Sequence, residues 1–121
     1  MLRLAHRDAA AFAALLVAPG VALPVALFHA QQAVEKPLEA VMCLRGLGYP
    51  RTHDLEELAA RLADAGCTPA IGEAGLNRLT PYAVEYRYDD EAPELLTGAA
   101  AQSIVESSLA WAQVQITAGW P

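Results

Sequence analysis

The sequence predicts an all-α protein, an up-and-down antiparallel helical bundle of about five helices. Three observations predict it. Of 121 residues, 26 are alanine and 55% are hydrophobic while only 7% are aromatic, so the core is built from Ala, Leu and Val, as in closely packed helices. Apolar residues recur at three- and four-residue intervals, and no run alternates in the manner of a strand. The breakers Pro19-Gly20, Gly46 with Gly48, Gly66 and Pro81 fall between those stretches. The length admits one domain, residues 1–121, with a core of about 4–116 and a tail at 117–121. Charged residues at 18% are too few for a disordered chain.

A first helix is expected over residues 3–17, with Leu4, Asp8, Ala11, Phe12, Leu15 and Leu16 on its inner side. Asp8 is the anomaly on that apolar stripe. Burying it unpaired costs several kcal/mol, roughly, so it has a partner, or it stays wet on a frayed first turn or serves the helix N-terminus. The second helix begins between Val21 and Pro24, where a first-turn proline loses no hydrogen bond, and runs to about Leu44. Leu23, Leu27, Ala30, Val34, Leu38 and Val41 form its buried stripe, and His29, Gln32 and Lys36 cluster within roughly 60° on the far side. Phe28 falls off the stripe with Glu35 and Glu39, a hint of a second packing surface such as a dimer contact. Pro37 removes a backbone hydrogen bond and is expected to kink the helix.

Asp54 reads as the N-cap of a third helix, with Glu57 completing a capping box, Leu55, Leu58, Ala59 and Leu62 at helical spacing, and Gly66 as the stop. A fourth helix is expected from about Pro69 to Leu79. Pro81 and the string Tyr82 to Asp90 then connect it to a fifth, capped by Thr97 and running from Gly98 to about Thr117. Its inner stripe is Ala101, Ile104, Val105, Ser108, Leu109, Ala112 and Ile116.

The uncharged run from Ala9 to Phe28 is 20 residues, long enough to span a bilayer. Pro19-Gly20 and Pro24 break it, so two helices meeting at a short loop are expected instead. A secretory signal is the other reading; Asp8 within its basic region and the apolar register continuing beyond it argue against export. Cys43 and Cys67, without a CxxC pair, read as reduced core thiols of a cytoplasmic protein, with no zinc or redox motif. Residues 1–53 carry five basic and three acidic groups, whereas residues 54–121 carry three basic and eleven acidic ones. With no run of Lys or Arg, unassisted non-specific nucleic-acid binding is not expected.

Three strings stand out: Phe28-His29-Ala30-Gln31-Gln32-Ala33-Val34-Glu35-Lys36, then Arg51-Thr52-His53-Asp54-Leu55 with Leu58, then Tyr82-Ala83-Val84-Glu85-Tyr86-Arg87-Tyr88-Asp89. In this order, together with Asp8, they make the chain similar to the HEPN domain (higher eukaryotes and prokaryotes nucleotide-binding). Prokaryotic members of that family carry an F-H-A-Q-Q-A-x-E-K string, a T-H-D-L string and a late R-Y-P-D string. The sequence departs from that pattern at Pro37, where a small helix former is usual, and at Asp89, where proline is usual.

The resemblance implies a small helical bundle, commonly a homodimer, often encoded beside a minimal nucleotidyltransferase and sometimes part of a toxin–antitoxin module. Many members are metal-independent ribonucleases whose signature is Arg followed by His after four to six residues near the final helix. That signature is absent here: the last histidine is His53, with seven residues between it and Arg45 and one between it and Arg51. The leading expectation is a nucleotide-binding or interaction partner of a nucleotidyltransferase, with no cofactor, metal or membrane. A ribonuclease with a variant His/Arg site, using His53 and Arg51 or Arg45, and a generic helical interaction module are the alternatives.

The candidate nucleotide-binding residues are His29, Gln32, Lys36, His53, Arg87 and Tyr88, with Asp8 and Tyr82 as structural polar groups. Lys and Arg supply phosphate donors, histidine donates or accepts near neutral pH, and tyrosine can stack on a base. Against each stands a plainer reading: a solvated helix face for His29 and Lys36, a local hydrogen bond at a helix entry for His53, and an ion pair with Asp8 for Arg87.

Overall fold

The computed structural model of the chain describes residues 2–48, 51–83 and 96–118. They form α1 (Leu2–Val17), α2 (Leu23–Leu44), α3 (Leu55–Asp64), α4 (Glu73–Leu79), a 3-10 turn (Thr80–Ala83) and α5 (Gly98–Thr117), with no strand among them. The all-α bundle is as expected from the apolar periodicity. The long uncharged run divides at Pro19-Gly20, where Gly20 takes φ +76°, and none of the described helices is long and apolar enough to cross a membrane.

Helix ends follow their local chemistry. Pro24 sits in the first turn of α2, where its missing N–H costs nothing. At the far end Gly46, at φ +70°, lets the chain turn back so that the Gly46 and Leu47 N–H groups donate to the Cys43 and Met42 carbonyls at 3.1 and 2.9 Å. The same reversal ends α3, where Gly66 and Cys67 donate to Ala63 and Leu62. Asp54 caps α3 by accepting from the Glu56 and Glu57 N–H groups. The expected reciprocal half of a capping box is replaced: the Asp54 N–H donates to Thr52 Oγ1, and Glu57 instead accepts from Arg61 one turn on.

The bundle is organised around α2, which packs against α1, α5, α3, α4 and the 3-10 turn. α1 runs back along α2. α5 starts beside the end of α1, where Gly98 meets Leu16, and finishes beside the end of α2, where Arg45 reaches Gln115 at 3.4 Å. Ala26, Ala30, Ala33, Ala101 and Ala112 are all buried, which brings the helices close together. The inner stripe of α2 is as expected, but the helix is also buried off that stripe: Gln31 is fully buried and Glu35 retains 5% exposure. A helix covered on several sides has no free polar face, and this corrects the placement of Glu35 on one. α2 continues through Pro37, which is itself buried.

Other expectations are corrected by burial. On α1 Phe12, Leu15 and Leu16 pack inward as expected, but in the first turn Ala5 is buried and Leu4 is 44% exposed. Cys67 is buried but Cys43 is exposed, so only one of the two is a core thiol. α4 begins at Glu73, not Pro69, with Gly72 at its cap position. α5 buries Trp111, which the expected stripe omitted. Its indole Nε1–H donates to the Thr68 carbonyl at 3.2 Å and ties α5 to the segment after α3.

A polar network between α1, α2 and the α3 entry

The polar residues of the first string lie where α2 meets α1 on one side and the α2–α3 connection on the other. On the α1 side, Asp8 receives two partners from α2: Lys36 Nζ pairs with Oδ2, and His29 Nδ1 donates to Oδ1 at 3.2 Å. His29 and Lys36 are two helical turns apart, hence on one face, and Asp8 stands between them. The side chains of Asp8, Lys36 and His29 retain only 15%, 24% and 31% of their exposure. This resolves the Asp8 anomaly: a carboxylate on an apolar stripe is matched by the cation opposite it. It also moves His29 and Lys36 from a far, solvated side to a helix–helix contact. Phe28 stacks edge-on against His29, with ring centroids 5.3 Å apart.

On the other side, Glu35 accepts from His53 Nδ1 at 2.7 Å and from Gln31 Nε2 at 3.3 Å. Gln31 Nε2 also donates to the His53 carbonyl at 3.3 Å, and its Oε1 accepts from Gln32 Nε2 at 2.7 Å. Both ends of His53, ring and backbone, are therefore held by α2. The carboxylate fixes the ring tautomer with the proton on Nδ1. The His53 side chain is 64% exposed, and no described residue bonds its Nε2. No buried side-chain polar atom among the described residues is left without a partner.

Glu39 follows Glu35 by one turn on α2, and its pKa is raised from 4.5 to about 7. Partial burial is the main cause and the neighbouring Glu35 charge adds to it, while His53 and Lys36 pull the other way. Gln31, Glu35 and Glu39 were not among the candidate site residues, although their spacing of four along α2 is a visible signal that one polar line runs beside the apolar stripe.

Two separate clusters take up five of the candidates, Asp8 with His29 and Lys36 on the α1 side and Gln32 and His53 with Gln31 and Glu35 on the other, and the remaining candidates lie apart. Arg51 is exposed and Tyr82 is half-buried against the core. Arg87 and Tyr88, with the proposed Asp8–Arg87 pair, lie outside the described residues. Arg45 is engaged with Gln115. A cleft of about 310 Å³ between the ends of α2 and α3, and an apolar one of about 530 Å³ beside Ala110 and Val114, are lined by none of the network side chains. Among the described residues no group of three His, Cys, Asp or Glu is placed to hold a metal ion.

Chemically, the arrangement locks helices together and presents one imidazole. Lys36 faces a carboxylate, so its charge toward an outside phosphate is offset. A family model described as HEPN domain matches residues 3–114. Comparison with curated proteins and with solved structures finds no match.

Proposed function

The chain belongs to the HEPN domain family, and from that premise we propose that it is a non-catalytic HEPN protein, a cytoplasmic homodimer that docks a minimal nucleotidyltransferase in a module of the toxin–antitoxin type. One observation carries this reading: within the family strings Lys36 and His29 are engaged by Asp8 and the His53 ring by Glu35, while Arg51 lies exposed. A surface so neutralised suits protein docking better than unaided capture of a phosphate chain. The missing Arg-x4-6-His signature of the family's ribonucleases supports it from the sequence side. The exposed imidazole of His53 is the point of the network at which a nucleotide phosphate is expected to bind, as a single donor.

The test looks for a minimal nucleotidyltransferase gene beside that of the chain and co-expresses the two, followed by size-exclusion chromatography with light scattering. A heteromeric complex of defined mass is expected. A chain that elutes free of the nucleotidyltransferase overturns the proposal. A second reading rests on the 2.7 Å Glu35–His53 contact, since a carboxylate-held, exposed imidazole is suited to proton transfer. In that reading the chain is a ribonuclease with His53 as acid–base and Arg51 on the phosphate. RNA cleavage by the purified chain, abolished in His53→Ala, selects it; lack of cleavage with and without divalent metal rejects it.

A further inference from the structure

α1 packs against α2 and α5, and the side it buries carries Ala5 and Phe12. The opposite side is exposed along its length. Arg3, Arg7, Ala10, Ala14 and Val17 recur there at intervals of four and three, which places them within about 80° of one another. Val17 is 81% exposed, and Leu4, on the flank of the seam, 44%. The seam divides by chemistry. Its first two turns present Arg3, Arg7 and the neighbouring His6, with no acidic residue in the first turn. Beyond them Ala10, Ala14 and Val17 offer no hydrogen-bonding side chain. Lys36 and Arg61 each have a carboxylate partner, whereas no described carboxylate pairs with Arg3 or Arg7. Asp8, next to Arg7 in the chain, is engaged by Lys36 and His29 of α2. Both guanidiniums also stand toward the end of α1 where the backbone dipole is positive, so added positive charge is unfavourable there until an anion offsets it.

We propose that this face of α1 docks an acidic amphipathic helix of another protein, antiparallel to α1, with two carboxylates on Arg3 and Arg7 and an apolar seam on Ala10, Ala14 and Val17. Charge complementarity selects the carboxylates: two guanidiniums one turn apart match two acidic side chains at the same spacing. The rest of the seam selects a helix. Ala10 and Ala14 have no side chain beyond Cβ, so a partner axis can approach to about 8 Å, and Val17 and Leu4 then leave water. A phosphate chain matches less well, because its charge repeats along its whole length and the seam offers it no donor beyond Arg7. The antiparallel sense brings the negative C-terminal end of the partner helix to the guanidiniums. A second copy of this chain is a poorer match. Its α5 carries one carboxylate, Glu106, and its α3 is 10 residues long, shorter than the seam. The inference goes beyond the docking of a nucleotidyltransferase and does not rest on it, since the partner is defined by its chemistry.

The experiment titrates the full chain with a labelled synthetic peptide of about 15 residues, four helical turns, with leucines at alternating three- and four-residue spacing and two glutamates one turn apart at its C-terminal end. Fluorescence anisotropy reads binding, and amide chemical shifts place it on the chain. Saturable binding is expected, with shifts confined to α1, weakened by salt and by about tenfold or more when lysines replace the peptide glutamates. The double variant Arg3→Glu, Arg7→Glu is expected to lose the acidic peptide and to gain the lysine peptide, a reversal that a misfolded chain does not produce. Ala14→Glu, which blocks the close approach and leaves both arginines in place, is expected to weaken the acidic peptide as well. Circular dichroism checks that each variant remains helical. Absence of binding, equal binding of the two peptides, or shifts that map elsewhere overturn the proposal. So does either of two other occupants: tighter binding of a single-stranded RNA that the double variant loses, or a chain dimer in light scattering that the same variant dissociates.

Discussion

Asp8→Asn removes the charge that joins α1 to α2, and its cost can be worked from the geometry. At an effective dielectric of about 20, two unit charges about 4 Å apart attract by roughly 4 kcal/mol. Asp8 and Lys36 retain 15% and 24% of their side-chain exposure, so water screens part of that attraction. Holding the lysine in one rotamer takes more, which leaves a net value of about 2 kcal/mol. Asp8→Asn, which leaves Lys36 and His29 facing a neutral amide, is expected to lose about 2 kcal/mol of stability. Lys36→Met keeps the apolar stem packed and leaves Asp8 with His29, and is expected to lose about 1 kcal/mol. The double variant is expected to lose about 2 kcal/mol, short of the two single losses combined, which is a coupling of about 1 kcal/mol. Urea unfolding followed by far-ultraviolet circular dichroism measures all four chains, at low and high salt, and the coupling is expected to shrink with salt. Single losses that add to within about 0.3 kcal/mol refute the reasoning, because additive effects mean that the two side chains do not share an interaction.

Three further outcomes are expected. Glu39→Gln is expected to be more stable than the unmodified chain above pH 7, by about 1–2 kcal/mol after allowing for solvent screening at a half-exposed carboxyl, and equal to it below pH 4.5. The sign follows from the raised folded-state pKa. The folded chain holds this proton more tightly than the unfolded one, so the stability it contributes is fully present below 4.5 and is lost as pH rises through 7; urea titrations at several pH values check it. Gly98→Ala would place a Cβ 2.5 Å from Leu16 Cδ1, so despite the better helix propensity of alanine a loss of about 1 kcal/mol is expected, read as a lower melting temperature. Trp111→Phe keeps the ring in the core but leaves the Thr68 carbonyl without its indole donor, for about 1–2 kcal/mol in urea unfolding.

Helix boundaries were legible wherever one residue carries the whole reason for them. Asp54 caps α3, Thr97 caps α5 through the Ala100 N–H, and Gly20, Gly46 and Gly66 turn the chain with positive φ, each for a reason that lies within a few residues. The α4 start was misplaced because Pro69 is permissive at a helix start without compelling one, and the chain becomes helical only after Gly72. Within the candidate site, the string from Phe28 to Lys36 and the T-H-D-L string marked the correct stretches. Their roles were not legible: which side of α2 is wet depends on how many neighbours it has, and α2 has five. Glu35 therefore read as surface and is buried, and Lys36 read as a solvated cation and is paired.

The sequence by itself determined the all-α class, the break in the long apolar run, the caps and turns, and membership in the HEPN family, since these depend on local backbone chemistry and on short strings of residue types. Tertiary structure alone decided the partners. Asp8 and Lys36 are separated by 28 positions and Glu35 and His53 by 18, and nothing local says that they meet. They meet because the turn at Gly20 lays α1 along α2, and because the reversal at Gly46 brings the connection back past the middle of α2. Burying that helix on several sides then leaves its polar groups no water to bond, so they bond each other.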